Sequence, residues 1–198
     1  FVINEGPRVY INSINIAGNT RTVDKVIRRE ISLSEGDAYN KYAISYSEDS
    51  IKSLNFFSEV SINDRRTEFS DKINLDVTVE EKNTGEASLG AGYSSASKAS
   101  IQLGLKESNF LGRGQKVNLS TSFSDTNTLY DISFTEPYFR GKPLSLTTSV
   151  YSSLTDSGSV NYETEDFGFA TSLRFPLSSD KSLQTRYSIF TTKIKADA

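Results

Sequence analysis

The residues from 84 onward alternate between apolar side chains and small or polar ones, with no helical period among them. A period of two is typical of β-strands whose two faces meet different surroundings. Seven segments show it: Ala87–Tyr93, Ile101–Lys106, Lys116–Phe123, Tyr130–Thr135, Leu144–Val150, Phe167–Phe175 and Leu183–Ile189. The pattern therefore predicts an antiparallel meander of about seven strands.

The two faces of these strands differ in chemistry. One is apolar and aromatic, and the other carries Gly, Ser, Gln, Asn and charges such as Lys116 and Arg174. A soluble sandwich with its apolar faces packed together would also show this. With the residues that flank the strict alternation, each segment is about 9 to 13 residues long, which is enough to cross a bilayer at a tilt. Aromatic residues fall near predicted strand ends, as an interfacial girdle requires: Tyr93, Phe110, Tyr138, Phe139, Tyr151 and Tyr162. These features favour a transmembrane barrel.

The first 82 residues have a different composition. They hold 14 acidic and 11 basic side chains, about 30% charged, against about 19% in the remainder. A boundary after Lys82 separates a charged, water-soluble α+β domain (1–82) from the predicted barrel strands (83–198).

The α+β domain begins with a strand and a helix. Val9–Ile16 alternates like a strand, and Thr22 is a candidate N-cap with Asp24 in the first turn of the helix that follows. Val23, Val26, Ile27 and Ile31 recur at helical spacing, and Gly36 ends the element.

A second helix and two strands complete the domain. Asn40 is the predicted N-cap, with Ile44, Ser47, Ile51 and Leu54 on one face and Asn55 as a left-handed cap. Glu59–Arg66 and Ile73–Glu81 then read as strands. The order β-α-α-β-β predicts two helices packed on one face of a small sheet.

Composition excludes several classes of function. Without His or Cys the chain has no Ser-His-Asp or Cys-His nucleophile and no thiolate or imidazole metal site. A net charge of −3 argues against a nucleic-acid partner. No run of 18 or more apolar residues is present, and Phe1–Pro7 shows no signal-peptide pattern, so we expect an internal piece of a longer chain.

Two groups of motifs carry a family resemblance. The string EGPRVYINSINIAGNTRTVDKVIRREISLSEGD, with SLNFFSEVSI after it, resembles a POTRA domain, the last before the barrel in outer-membrane assembly factors of the BamA type. The strings EKNTGEASLGAGYSS, ESNFLGRGQ and FTEPYF are similar to the first strands of that family's barrel. The chain departs from the pattern at Asn55, where the family often has Gly, and holds about seven strands of a barrel of sixteen.

The resemblance implies a function without enzymatic activity, cofactor or metal. Such a factor folds and inserts β-barrel proteins into the outer membrane of Gram-negative bacteria, with its POTRA domain in the periplasm. Its implied partners are unfolded outer-membrane client proteins, accessory assembly lipoproteins, periplasmic chaperones and the lipid bilayer. No nucleic acid is among them.

The resemblance also implies three sites. Accessory lipoproteins would dock through Arg28 and Glu30. Clients would add a strand beside Glu59, Val60, Ser61, Ile62, Asn63 and Asp64. The first barrel strand, about Thr84–Ser95, would pair weakly with the last and open as a lateral seam, which comprises Glu86, Ala87, Ser88, Leu89, Gly90, Ala91, Gly92 and Tyr93.

Each site has a plainer interpretation. Exposed charges on a helix usually bind nothing. Asp64-Arg65-Arg66 could be an ordinary strand edge guarded by charge, and Gly90 and Gly92 could merely relieve crowding inside the barrel. The two-glycine motif Asn109–Gly114 reads as a strand connector rather than a phosphate site, because no Lys-Ser/Thr pair or helix follows it.

Three other functions remain open on the sequence alone. A secretion transporter, or the translocation and assembly module of the same superfamily, would share these motifs. A carboxylate-based hydrolase could use Glu163, Glu165 and Asp166. A soluble sandwich module would have a similar pattern of alternation.

Overall fold

The structure, a computed structural model, describes residues 8–95, 98–156, 162–178 and 180–196. These residues form two compact units. The first extends to Thr84 and includes the turn Leu111–Arg113, and the second contains the other residues from Gly85 onward.

The first unit is an α+β domain. Its elements are β1 (Tyr10–Ala17), α1 (Asp24–Arg28), α2 (Lys41–Ser53), β2 (Phe57–Arg66) and β3 (Lys72–Glu81). The three strands form a sheet in the order β1-β3-β2, with β1 parallel and β2 antiparallel to the central strand β3. The predicted order β-α-α-β-β is confirmed.

The core of this unit lies against the central strand. Every second residue of β3 is buried, as its alternation predicted: Ile73, Leu75, Val77 and Val79. Residues from both helices pack into the same cluster, among them Val26, Ile27 and Ile51. Burial of these aliphatic groups stabilises the domain by about 1.5–3 kcal/mol for each side chain.

Helix α2 follows the sequence prediction closely. The Asn40 side chain caps it by accepting from the backbone N–H groups of Tyr42 (3.0 Å) and Ala43 (3.2 Å). Ile44, Ser47 and Ile51 are buried on one face. The chain leaves the helix through Asn55, whose φ of 62° is the predicted left-handed conformation.

Helix α1 differs from the prediction. It has five residues, its N-cap is Val23 rather than Thr22, and Ile31 lies beyond its end. The Thr22 backbone N–H donates instead to the carboxylate of Glu81 at 2.6 Å. Beyond the helix, the Ser32 N–H donates to the Ser47 hydroxyl on α2. Hydrogen bonds to residues distant in sequence thus hold the chain on both sides of α1. The spacing of the apolar residues had predicted a longer helix.

The second unit is a single antiparallel sheet. Its strands are β4 (Gly85–Ser94), β5 (Lys98–Phe110), β6 (Gln115–Ser124), β7 (Asn127–Glu136), β8 (Ser145–Asp156), β9 (Tyr162–Pro176) and β10 (Ser182–Ala196). Each strand pairs with the next, so the meander of seven strands is confirmed. In the part of the chain that the structure describes, β4 and β10 each pair on one side only.

The strands run for 10 to 15 residues, long enough for a bilayer crossing. Most of the predicted aromatics lie in connections or within two residues of a strand end, but Tyr151 lies in the middle of β8. There it is paired with Gly168, and its ring fills the space that a side chain at position 168 would occupy. The prediction that Tyr151 lies near a strand end was therefore wrong, because β8 continues to Asp156, beyond the alternating segment Leu144–Val150. Among the described helices, none has the length and hydropathy of a membrane span.

Ser47→Ala should destabilise the first unit by about 1 kcal/mol, because the Ser32 N–H loses its acceptor in a part-buried position. The buried Ser47 hydroxyl accepts from the Ser32 N–H at 2.9 Å and donates to the Ala43 carbonyl at 2.7 Å. Urea unfolding in detergent micelles, followed by circular dichroism at 222 nm, measures the change, because both described α-helices lie in this unit. The control Ser45→Ala removes an exposed hydroxyl on the same helix. Equal unfolding midpoints for the two variants would contradict the prediction.

Candidate functional site

The outer edge of β1 is covered by a later segment of the chain. The Ile11 N–H donates to the Asp37 carbonyl (2.9 Å), and the Gly36 N–H donates to the Ile11 carbonyl (2.8 Å). Two residues further along, the Tyr39 N–H donates to the Val9 carbonyl at 2.8 Å. Residues 36–39 thus act as a short extra strand that covers this edge where β1 begins, at residues 9–11.

The opposite edge of the small sheet belongs to β2. Within the described residues β2 pairs with β3 alone, so its outer backbone groups are available to an added strand. The six residues predicted to bind clients, 59–64, all lie in β2. Val60 is buried in the core and anchors the strand, whereas Glu59, Asn63 and Asp64 are exposed.

The charges at the end of β2 divide into two groups. Arg65 bonds across the sheet to Asp76 on β3 at 2.7 Å. The hydrogen bond from Arg65, together with one from Asn15, lowers the pKa of the Asp76 carboxyl. Arg65 is thus engaged within the sheet, which leaves Asp64 and Arg66 as the exposed charges that could guard the edge.

Arg28 and Glu30, the predicted partner-binding pair, lie at the end of α1. Arg28 is the last helical residue and pairs with Asp24 one turn earlier (3.1 Å). Glu30 lies in the turn that follows, beside Arg29 at 3.5 Å, and its side chain is 15% exposed. The two residues are therefore close in the fold, but Arg28 is the more accessible of them.

The eight residues of the predicted seam lie in β4. This strand pairs with β5 along its whole length, from Gly85 opposite Glu107 to Ser94 opposite Lys98. Near one end, the Lys106 ammonium pairs with the Glu86 carboxylate across the two strands at 3.3 Å. The other edge of β4 has no partner among the described residues.

Gly90 and Gly92 have room for a side chain in the described structure. A Cβ on Gly90 would lie 3.6 Å from the nearest atom, on Gln102, which is ordinary contact. At Gly92 the closest neighbour is the rotatable hydroxyl of Ser100 at 3.1 Å. Crowding by the neighbouring strand does not require glycine at position 90.

A shallow apolar groove of about 460 Å³ crosses the outer surface of β4, β5 and β6. The apolar residues lining it are Ala87, Leu89, Leu103, Leu105 and Leu119. Leu89 is 77% exposed. A face of this kind has the chemistry of a surface that contacts lipid chains.

The three acids of the hydrolase hypothesis do not converge. They lie in β9, where alternation places Asp166 on the opposite face from Glu163 and Glu165. Glu165 pairs with Lys195 (3.6 Å), and Asp166 accepts a hydrogen bond from the Thr192 hydroxyl. Within the described ranges, no group of three or more acidic side chains could hold a metal ion.

Sequence reasoning missed the role of Glu81. This last residue of β3 is 7% exposed and binds the loop between β1 and α1. Its carboxylate accepts from the backbone N–H groups of Arg21 (2.9 Å) and Thr22 (2.6 Å) and from the Thr20 hydroxyl (2.8 Å). Burial of the carboxyl opposes its ionisation, but the hydrogen bonds outweigh that effect and lower the pKa to about 2. The only signal in the sequence was an acid at a strand end.

Two family models match the chain. The model described as the surface antigen variable number repeat, POTRA, matches residues 9–82. The model described as the Omp85 superfamily domain matches residues 109–198. Together they cover most of both units.

Curated relatives agree with these matches. The outer membrane protein assembly factor BamA of Neisseria meningitidis serogroup B is 31% identical over 150 residues, which is 75% of this chain and 19% of that protein. The BamA of Neorickettsia risticii is 31% identical over 185 residues, covering 93% of this chain and 25% of that protein. The chain thus spans about a fifth to a quarter of the length of these relatives.

Solved structures share the fold. BamA from Haemophilus ducreyi lacking POTRA domains 1–3 matches with a TM-score of 0.88 and 27% identity, over 97% of this chain and 37% of that one. CdiB from Acinetobacter baumannii matches with a TM-score of 0.60 and 14% identity, over 93% of this chain and 39% of that one. The second likeness shows the fold alone.

We expect Glu81→Gln to destabilise the first unit at neutral pH by on the order of 3 kcal/mol, from 1.36 kcal/mol per unit of pKa and a pKa lowered to about 2. Because the folded pKa is depressed, this stabilisation is present above the unfolded pKa and is lost as the pH falls towards 2. The difference between wild type and variant should therefore shrink between about pH 5 and pH 2. Urea unfolding at a series of pH values measures it.

The control for this prediction is Glu80→Gln, which neutralises the exposed carboxylate next in the chain. A difference between wild type and Glu81→Gln that stays constant down to pH 2 would contradict the role of the charged carboxylate.

Proposed function

Because the chain belongs to the Omp85 superfamily, we propose that it is the membrane-proximal part of an outer-membrane protein assembly factor. In this role its POTRA domain lies in the periplasm and its strands belong to a barrel in the outer membrane. The factor folds β-barrel clients and inserts them into the bilayer, without cofactor or enzymatic chemistry.

One observation carries the proposal. Among the described residues, a POTRA sheet whose β2 edge is unpaired is followed, after three residues, by the first strand of an amphipathic sheet. An unpaired strand edge in lipid lacks several backbone hydrogen bonds, each costly to leave unmade. A client strand that pairs with the edge satisfies these groups. Insertion therefore needs an accessible edge and no reactive side chain.

In the proposed mechanism, clients first bind the POTRA domain by strand addition to β2. The edge offers main-chain groups to any extended segment, so it suits clients that share little sequence. Coverage of β1 by residues 36–39 favours β2 as the accepting edge. The exposed charges at Asp64 and Arg66 limit addition at one end of the strand.

The lateral seam is formed by β4. Gly90 and Gly92 weaken the pairing of this strand and allow close approach of another backbone. The barrel's last strand would pair with β4 when the seam is closed, and a client strand would replace it when the seam opens. The apolar groove beside β4 would face lipid in both states.

Accessory lipoproteins are proposed to dock at Arg28 and Glu30. The pair offers one cation and one anion within three residues, which suits reciprocal ion pairs across an interface. Periplasmic chaperones would deliver unfolded clients to the same domain.

A secretion transporter of the same superfamily is the alternative function. The likeness to CdiB at a TM-score of 0.60 shows that the fold is common to both kinds of protein. Such a transporter would export a soluble passenger through its lumen and would leave the folding rate of a client barrel unchanged.

Insertion activity should fall about two- to tenfold in Gly90→Ala, because alanine restricts a backbone that glycine leaves free. The measurement is the folding rate of a small client barrel in liposomes that contain the full-length protein. The new methyl group fits without a clash, so a slower rate reports backbone stiffness rather than crowding.

Ser133→Ala, which makes a substitution to alanine in β7 outside the seam, is the control and should leave the rate unchanged. If the full-length protein does not accelerate client folding but exports a soluble passenger, the transporter is the correct function. If client folding is accelerated equally by wild type and Gly90→Ala, the insertase proposal stands and the role of Gly90 is wrong.

Glu30→Lys should weaken binding of an accessory lipoprotein by roughly tenfold or more, since truncating one partner of a close interfacial charge pair costs 2–5 kcal/mol. Binding to the immobilised full-length protein measures the effect. Glu68→Lys makes the same charge change in the exposed loop between β2 and β3 and serves as control. Equal affinities for the two variants would rule out docking through Glu30.

A further inference from the structure

A pocket of about 340 Å³ lies on the seven-stranded sheet, where β8, β9 and β10 run side by side. The residues lining it are Ser152, Glu165, Phe167, Thr191 and Lys193. The pocket thus combines an acid, a base, two hydroxyl groups and an aromatic ring. All five residues lie in the second compact unit, and none belongs to the seam in β4.

Strand register places this pocket on the apolar face of the sheet. Residues directly opposite each other in neighbouring antiparallel strands share a face. From Leu105 in the apolar groove, successive pairs lead across β6, β7 and β8 to Phe169 in β9. Phe167 is two residues from Phe169 and therefore lies on the same face. In a transmembrane barrel, this is the face that contacts lipid.

The chemistry of this face changes from apolar to charged across the pocket. On one side of it, Phe169 is paired with Ile189, which is 59% exposed. On the other side Glu165 is directly opposite Lys193, and a further acid–lysine pair follows. Two residues along a strand span about 7 Å. The headgroup layer of a bilayer is roughly 5–8 Å deep, so the change is as abrupt as that from acyl chains to headgroups.

The ion pairing in the charged part is diagonal. The Lys195 ammonium lies 3.6 Å from the Glu165 carboxylate, although Lys193 is the residue directly opposite Glu165. Among the described residues, the Lys193 side chain has no ion-pair or hydrogen-bond partner. Lys195 therefore balances the charge of Glu165, and the pocket keeps the positive charge of Lys193.

A phosphate group that is attached to an acyl chain suits this pocket. Lys193 supplies the opposite charge, and the hydroxyl groups of Ser152 and Thr191 are donors for phosphate oxygens. These two residues lie on either side of Phe167 in one row across the three strands. Phe167 is 58% exposed and continues the apolar face into the pocket. Its ring would bind an acyl chain but adds nothing to the binding of a free phosphate ion.

We infer that this pocket binds the phosphate headgroup of an anionic membrane lipid. Lys193 binds the phosphate, and Lys195 acts as a positioning residue that keeps Glu165 paired and away from it. An amine-bearing, zwitterionic headgroup would need a free carboxylate. Of the described residues that line the pocket, Glu165 alone is acidic, and it is already paired. The inference goes beyond the proposed insertion of clients and does not depend on it.

The test is native mass spectrometry of the full-length protein in detergent micelles, titrated with dioleoyl phosphatidic acid. Lys193→Gln should weaken binding of the first lipid about tenfold, the usual loss when a hydrogen bond to a charged group is removed. The control Lys116→Gln makes the same change three residues from Leu119 of the groove, and therefore on the opposite face. Dioleoylglycerol has the same chains without phosphate, and its binding should not differ between wild type and the two variants.

A second set of variants tests the diagonal pairing. Lys195→Gln should also weaken binding of phosphatidic acid, because the released Glu165 carboxylate would repel the phosphate or pair with Lys193. Adding Glu165→Gln should restore the affinity to about that of the wild type. The matched double variant, Lys195→Gln with Glu163→Gln, has the same net charge and should not restore it. These side chains are exposed or half-buried, so the substitutions remove no core contact.

Equal affinities of Lys193→Gln and Lys116→Gln for phosphatidic acid would overturn the site. Binding of inorganic phosphate as tight as that of the lipid would show a site for a free ion instead. Phosphatidylcholine that binds as tightly as phosphatidic acid would overturn the preference for an anionic headgroup. Equal recovery in the two double variants would overturn the role of Lys195. Each of these outcomes is independent of whether the protein inserts clients.

Discussion

Backbone hydrogen bonding at strand edges is the constraint on which this structure depends. Each edge strand presents a row of N–H and C=O groups that must pair with water, with another segment or with a partner. In the first unit, residues 36–39 cover the edge of β1 and leave that of β2. In the second, β4 and β10 pair on one side only among the described residues. The proposed activity takes place at the edges of β2 and β4.

The carboxylate of Glu81, at the end of β3, binds a loop that is distant from it in sequence. Its hydrogen bonds hold the loop between β1 and α1, and that loop in turn bonds Lys82 and Gly112. One ionised side chain thus holds together segments of the first unit that are distant in sequence.

Particular residues show how far the sequence could lead. Asn40 and Asn55 at the ends of α2 and alternation in β3 were predicted and found. Each depends on local rules of capping or periodicity. Thr22 and Tyr151 were misplaced. Thr22 bonds a carboxylate 59 residues away, and Tyr151 packs on Gly168 of the next strand. Neither partner is visible in a local window.

The sequence by itself determined the two-part architecture, the strand count and the family, because hydrophobic periodicity, charge density and sequence motifs are properties of short segments. Tertiary structure alone decided which edge of the small sheet is covered, which carboxylate is held ionised and which turn meets the loop at Arg21. Those features arise where segments distant in sequence meet. Their energies come from burial and from hydrogen bonds between backbones, and neither leaves a pattern in the order of the residues.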